Sequence, residues 1–265
     1  FLILFFTTTA KAQKEAETFN VDSTLYEYYQ RCQEYLLEPV VLNMSDTLFR
    51  MAGERQDERM QAVAIATQLD YYYFQGTNED SVIHYTNKVK EFAKATHQPK
   101  YYYFAWANRL ITYYLKTSRT NIALYEVQNM LKEAQEEDDK TGLSRCYNIM
   151  SQIYTIKRFD SMAFEWRLKE IELTEKYKIE NYNISQTYAQ IANYYINQKK
   201  QKEALAAVEK AIATANSSTQ QISAKLEFVN YYSKFGDFQA AEKLLKECQA
   251  AFEQDKRLES IKKRL

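Results

Sequence analysis

The sequence predicts an all-α protein, a solenoid of about six helical hairpins. Only 4 Gly and 2 Pro are spread through 265 residues, so few turns can use the common breakers and long helices are the natural outcome. Hydrophobic residues make up 46% and charged residues 26%, enough apolar material for a continuous core. The chain also repeats itself. Tyr73, Tyr114, Tyr154, Tyr195 and Tyr232 recur at intervals of 41, 40, 41 and 37 residues, and nine residues after each comes a small or branched apolar side chain: Val82, Ala123, Ala163, Ala204 or Ala241.

In chain order, residues 1–12 come first. Phe-Leu-Ile-Leu-Phe-Phe, then Thr7, Thr8 and Thr9, then Ala10-Lys11-Ala12 read as the remnant of a secretory signal with a small-x-small cleavage site, the mature chain starting near Gln13. Six apolar residues are too few for a membrane span. The alternative is an apolar first helix packed on the solenoid. Residues 13–256 form the solenoid, with a weaker first copy placed on Tyr35 and Met44. Each copy reads as a helix ending just past the tyrosine, a short polar turn, and a second helix with the small residue on its inner face. The turns are Gly76-Thr77-Asn78-Glu79-Asp80, Lys116-Thr117-Ser118-Arg119, Lys157-Arg158-Phe159-Asp160, Gln198-Lys199-Lys200 and Lys234-Phe235-Gly236-Asp237. Their Asp, Ser and Thr residues are expected to cap the second helices. The small residue lets two helices approach closely, and the tyrosine ring fills the space above it. Residues 257–265 continue a charged helical pattern with Leu258, Ile261 and Leu265 on one stripe, the start of a helix expected to run past the end of the chain.

This pattern resembles a tetratricopeptide repeat, most closely in the copy Tyr188, Ile191, Ala192, Tyr195, Ala204, Val208, Ala211, and in Gly236-Asp237-Phe238 before Ala241. The resemblance covers most of the chain and implies a right-handed α–α superhelix. Two features depart from it. The spacing is longer than the usual period of about 34, and Asp70, Ile111, Ser151 and Val229 stand three residues before the tyrosine, where the family favours glycine or alanine.

In that architecture the first helix of each pair lines the concave surface, so the resemblance implies a peptide-binding stripe there. The stripe carries Asn108, Thr112 and Lys116, then Asn148 and Gln152, then Asn193 and Asn197, then Asn230 and Lys234. Amides offer both a donor and an acceptor, which suits the backbone of an extended peptide. Asn is a mediocre helix former, so its recurrence at one register favours a groove over a merely solvated face. Among the 23 tyrosines, one ring of each doublet is core by periodicity. Its neighbour either faces the groove or, the simpler account, packs between repeats.

Lys plus Arg and Asp plus Glu both number 35, so no global field draws this segment to nucleic acid. Cys32, Cys146 and Cys248 are over a hundred residues apart and read as buried apolar side chains. His84 and His97 have no acid or thiol at ligand spacing, and no phosphate loop or nucleophile elbow occurs, so no metal, no cofactor and no catalysis are expected. Asp80-Ser81-Val82 and Asp160-Ser161-Met162 resemble short acceptor motifs for O-linked glycans, but sit where a helix cap is needed. The expected partner is a protein or extended peptide; any membrane contact would come through segments outside this chain, and a homodimer stays open.

The signal-like start, the tyrosine-rich repeats and the running C-terminal helix resemble the periplasmic repeat regions of sensor kinases and membrane-tethered helix-turn-helix regulators of the Bacteroidetes. The expectation is an extracytoplasmic sensory or interaction region of a larger signalling protein. The alternatives are a free-standing periplasmic scaffold or chaperone-like peptide binder, and, less favoured, a glycan-binding surface lipoprotein.

Overall fold

The computed structural model describes residues 21–254, so the signal-like segment and the helix expected at 257–265 lie outside the described residues. Among the described residues there are helices and no strand. They are α1 Ser23–Glu34, α2 Val40–Glu54, α3 Glu58–Gln75, α4 Glu79–Ala95, and α5, which runs through Pro99–Ala105, a π-helical turn Trp106–Ile111 and Thr112–Lys116. Then follow α6 Thr120–Glu136, α7 Lys140–Ile156, α8 Asp160–Tyr177, α9 Ile184–Asn197, α10 Gln201–Ala213, α11 Ser218–Phe235 and α12 Phe238–Gln254. The chain forms two compact units, Phe1–Ile149 and Met150–Leu265, divided within α7. In the first unit α3 packs on α1, α2, α4 and α5; in the second, α9 packs on α8, α10 and α11.

The two helices of a hairpin are buried differently. A second helix buries one stripe at relative positions 0, 4, 7 and 11, as in Val82, Thr86, Val89 and Ala93 of α4, or Ala123, Val127, Met130 and Ala134 of α6. A first helix touches more neighbours and buries more of its circumference, as α3 does with Met60, Ala62, Ala64, Ile65, Ala66, Thr67, Gln68, Leu69 and Tyr73. In α2 the stripe is Val41, Ser45, Leu48 and Ala52, which sets the first repeat three residues earlier than the sequence suggests. Nine residues before Val41 is Cys32, fully buried in the place the tyrosine takes elsewhere, while Tyr35 is 41% exposed just past the end of α1. In α8 the stripe turns polar. Ala163 is followed by Arg167, Glu170 and Thr174, all buried. Arg167 donates from Nε to Gln190 and from Nη2 to Thr155, both at 2.7 Å, and Glu170 accepts from Asn181 at 2.9 Å.

A chain with four glycines makes its turns another way. Nine of the eleven connections among the described residues hold one residue in the left-handed region: Gly76, Gly236, and the non-glycines Gln56, His97, Ser118, Asp138, Arg158, Lys178 and Lys199. In all of these but the Gly76 turn the next residue's N–H reaches the carbonyl five residues back, for example Arg119 to Tyr114 at 2.8 Å, Phe159 to Tyr154 at 2.9 Å and Lys200 to Tyr195 at 2.9 Å, closing the helix C-terminus. In four of the five copies, at Tyr114, Tyr154, Tyr195 and Tyr232, the repeating tyrosine is thus the residue whose carbonyl anchors the turn.

Capping is narrower than expected. Asn78 accepts from Ser81 N at 2.9 Å and Asp237 from Ala240 N at 3.0 Å, but α6, α8 and α10 follow Arg119, Phe159 and Lys200 with no side-chain cap. Asp80 and Asp160 lie inside the first turns of their helices instead. The tyrosine doublets mostly serve packing. Tyr113 and Tyr114 are both buried, and Tyr194 stacks on Phe164 with ring centroids 4.0 Å apart. In the last copy Tyr231 is the buried member, while Tyr232 stacks on Phe228.

Candidate binding face

In the first unit, first helices alone build a cleft of about 240 Å³. Tyr29 comes from α1; Val63, Ala66, Thr67 and Asp70 from α3; Lys100, Tyr101 and Phe104 from α5; and Arg145 from α7. Phe104 stands one helical turn before Asn108, so the cleft continues the stripe Asn108, Thr112, Lys116. The π turn of α5 begins two residues after Phe104. Such a turn adds a residue without breaking the helix, and such insertions are frequent at functional sites. It is held from the far side: Trp106 Nε1 donates to Glu126 at 2.8 Å, and the Lys90 ammonium sits 3.5 Å from the indole centroid.

The charges of the cleft are unevenly matched. Arg109 forks onto Asp70, with Nη2 3.1 Å from Oδ2 and Nε on Oδ1, so that carboxylate is neutralised within the protein. The Phe104 ring centroid is 4.6 Å from the guanidinium of Arg109 and 5.9 Å from that of Arg145. Arg145 donates from Nη1 to Asn108 Oδ1 at 2.7 Å, while its buried Nε has no partner. Burial lowers its pKa, and the Asp139 carboxylate opposes that shift. Burial, and then the Asp70 carboxylate, raise the pKa of Tyr29.

The stripe residues fall in two groups. On α5, Asn108 holds Arg145, Thr112 Oγ1 returns to the carbonyl of Ala107 at 2.9 Å, and the exposed Lys116 places its ammonium 4.0 Å from the Tyr73 ring centroid. In the second unit Asn193 donates to Glu227 at 3.3 Å and accepts from Asn197 at 3.0 Å, and α11 carries Asn230 half-buried and Lys234 exposed, four residues apart. On α7, Asn148 is half-buried and belongs to the first unit, whereas Gln152 is exposed and belongs to the second. Part of the amide stripe therefore ties neighbouring first helices together. Sequence reasoning missed Lys100, Tyr101, Phe104, Asp70, Arg109 and Arg145. The signal was present for two of them: Phe104 extends the spacing of four back from Asn108, and Arg145 lies one turn before Asn148.

No protein-family model matches the chain, and no curated protein matches it. Solved structures do. BtubC (BKLC) from P. vanneervenii superposes with TM-score 0.62 at 14% identity, covering 88% of this chain and 93% of that one. The apo form of RapI gives 0.60 at 12% identity, covering 94% and 69%. A signal transduction ATPase with numerous domains from Pyrococcus horikoshii, which has a tetratricopeptide repeat sensor, gives 0.58 at 16% identity, covering 90% of this chain and 38% of that one. Identities this low speak for the fold alone. Paired helices repeating every 37 to 41 residues, together with these neighbours, give this chain a tetratricopeptide-like repeat fold.

Proposed function

We propose that this chain is a non-catalytic scaffold that binds a protein or an extended peptide along its first helices. The observation that carries this reading is the composition of the cleft: every residue lining it comes from a first helix, and it combines aromatic walls with charged groups. An array of this kind presents a long surface whose chemistry changes repeat by repeat. The combined changes Asn148→Ala, Asn193→Ala and Asn230→Ala test it, with retention on an immobilised library of extended peptides as the readout. The triple variant is expected to lose at least tenfold in retention while keeping its helical circular dichroism. Undiminished retention would remove the stripe from the binding face.

We further propose that the chain works outside the cytoplasm, as the sensory or interaction region of a larger membrane-bound signalling protein, a sensor kinase or tethered regulator. The apolar run and small-x-small pattern of residues 1–12 support export. The tetratricopeptide sensor of the Pyrococcus protein shows the fold serving a signalling protein. No helix among the described residues is long and apolar enough to cross a membrane. Fusing residues 1–30 behind a start codon to a phosphatase that is active only after export decides the matter, since a fusion that accumulates without activity would count against the periplasmic reading.

A further inference from the structure

In the second unit the turns that join first to second helices lie along one edge. Near the starts of α11 and α9, Gln220 Nε2 donates to the Tyr182 carbonyl at 2.6 Å, and farther along Asn193 donates to Glu227 at 3.3 Å, so these two helices run parallel and end on the same side. Arg167 ties Thr155, near the end of α7, to Gln190 of α9, and Tyr194 in the last turn of α9 stacks on Phe164 of α8. The turns 157–160, 198–203 and 234–238 therefore form a row. Charge is segregated onto that row although the chain as a whole is neutral. Lys157, Arg158, Lys199, Lys200, Lys202 and Lys234 supply six cations against the three carboxylates of Asp160, Glu203 and Asp237. Arg158, Lys199, Lys200, Lys202 and Lys234 are exposed, and none of these five is ion-paired among the described residues. At the opposite edge the connections 178–183 and 214–217 hold one cation, Lys178, and one carboxylate, Glu180.

The same row exposes large apolar side chains. Phe238 is 70% exposed and Phe159 53%, whereas Phe164, Phe228 and Phe235 of the same unit pack against its core. Phe159 immediately precedes α8 and Phe238 begins α12, so the two rings stand at the outer turns with the Lys199-Lys200 pair on the turn between them. Cations alone suit any polyanion; rings set among cations suit a surface with an apolar layer directly beneath its charges. We propose that this turn edge docks on an anionic phospholipid surface, with Arg158, Lys199 and Lys200 among the headgroups and the rings of Phe159 and Phe238 in the boundary between headgroups and acyl chains. Each cation held within a Debye length of the surface adds to the attraction, and each buried ring adds a contribution that salt does not screen. The proposal goes beyond the scaffold reading, which concerns the sides of the first helices rather than their ends.

The test is flotation of the full chain with vesicles of equimolar phosphatidylcholine and phosphatidylglycerol, against vesicles of phosphatidylcholine alone, which report any contribution of the apolar run at residues 1–6. Partitioning is expected to be about tenfold or more higher on the anionic vesicles and to fall with added salt. Lys199→Glu with Lys200→Glu, and separately Phe159→Ser with Phe238→Ser, are each expected to lower it about tenfold. All four side chains are exposed, so both variants are expected to keep their helical circular dichroism. Lys176→Glu with Lys178→Glu makes the same change of net charge at the opposite edge and is expected to leave partitioning within about twofold of the parent. Equal partitioning into the two kinds of vesicle, parental partitioning in either turn variant, or an equal loss in the opposite-edge variant overturns the proposal. Binding to single-stranded DNA that survives Phe159→Ser with Phe238→Ser, without any gain on anionic vesicles, identifies a polyanion as the partner and overturns it likewise.

Discussion

Arg167 and Glu170 occupy positions that are apolar in α6 and α10, where Val127 and Met130 or Val208 and Ala211 stand. Burial lowers the pKa of Arg167, and the Glu170 and then Asp160 carboxylates work against that shift. Removing Glu170 takes an opposing charge away from the buried Arg167 and leaves the Asn181 amide without its acceptor, so Glu170→Ala is expected to cost about 3 kcal/mol in chemical denaturation. The double replacement Arg167→Met with Glu170→Leu is expected to fall within about 1 kcal/mol of the parent or above it; a double variant as damaged as the single one would show that the polar groups are needed for packing. The cysteines make a second case at this scale. Burial pushes the Cys32 thiol from the ordinary 9.0 up to about 11 and raises Cys146 and Cys248 as well. At pH 8 a thiol reagent is expected to label none of the three in the folded chain and all of them in denaturant. Since the folded thiol of Cys32 holds its proton more tightly than the unfolded one, its stabilisation is complete at neutral pH and is lost as pH rises from about 9 towards 11. Their burial was legible from composition. The place of Cys32 in the repeat was not, because a search for tyrosine settles on Tyr35, and Cys32 fills the same space without an aromatic ring.

Among elements, α7 and α5 approach so closely that only glycine fits between them. A Cβ on Gly142 would lie 2.6 to 2.8 Å from the ring of Tyr103, which is itself fully buried. Gly142→Ala is therefore expected to destabilise by about 1 to 3 kcal/mol, against the roughly 1 kcal/mol that alanine gains in helix propensity. Gly53 gives the opposite sign, because a Cβ there meets only the movable end of Gln61, so Gly53→Ala is expected to raise the melting temperature. Thermal unfolding of the two variants side by side checks both signs. The hairpins were legible because the 0, 4, 7, 11 stripe writes itself in small and branched residues. The π turn was not: Tyr101–Ala107 and Leu110–Ile111 flank Asn108 and Arg109 with apolar residues on every side, so one inserted residue leaves no visible break in period. The caps were overcalled because Asp160 and Ser118 look like capping residues, whereas here the turn is closed by backbone hydrogen bonds from a left-handed residue.

For the whole molecule, range is the governing quantity. The Arg119 to Glu79 pair bridges 40 residues, about one repeat, and the longest of the other contacts named above, Lys116 to Tyr73, spans 43. Stability in such a chain is close to a sum over neighbouring repeats, so a version ending after residue 215, which lacks α11 and α12, is expected to keep its remaining helices. Circular dichroism should fall roughly in proportion to the residues removed, and collapse of the entire signal would contradict the repeat description. The face built by the first helices was foreseen from the repeat, but its charge pattern was not, since partners such as Asp70 and Arg109 lie 39 residues apart and only the fold brings them together. The seven non-glycine residues wound left-handedly between helices have one more consequence. Each such residue endures a Cβ-to-carbonyl crowding of roughly 1 to 2 kcal/mol that glycine escapes, against a backbone-freedom penalty of about 0.5 to 1 kcal/mol. Gln56 and Lys178 are exposed and lie outside both the Arg145 cleft and the basic turn edge. Glycine at these two joints is expected to harden the molecule against heat by a few degrees in all while leaving what it recognises untouched, so that endurance and selectivity can be tuned separately.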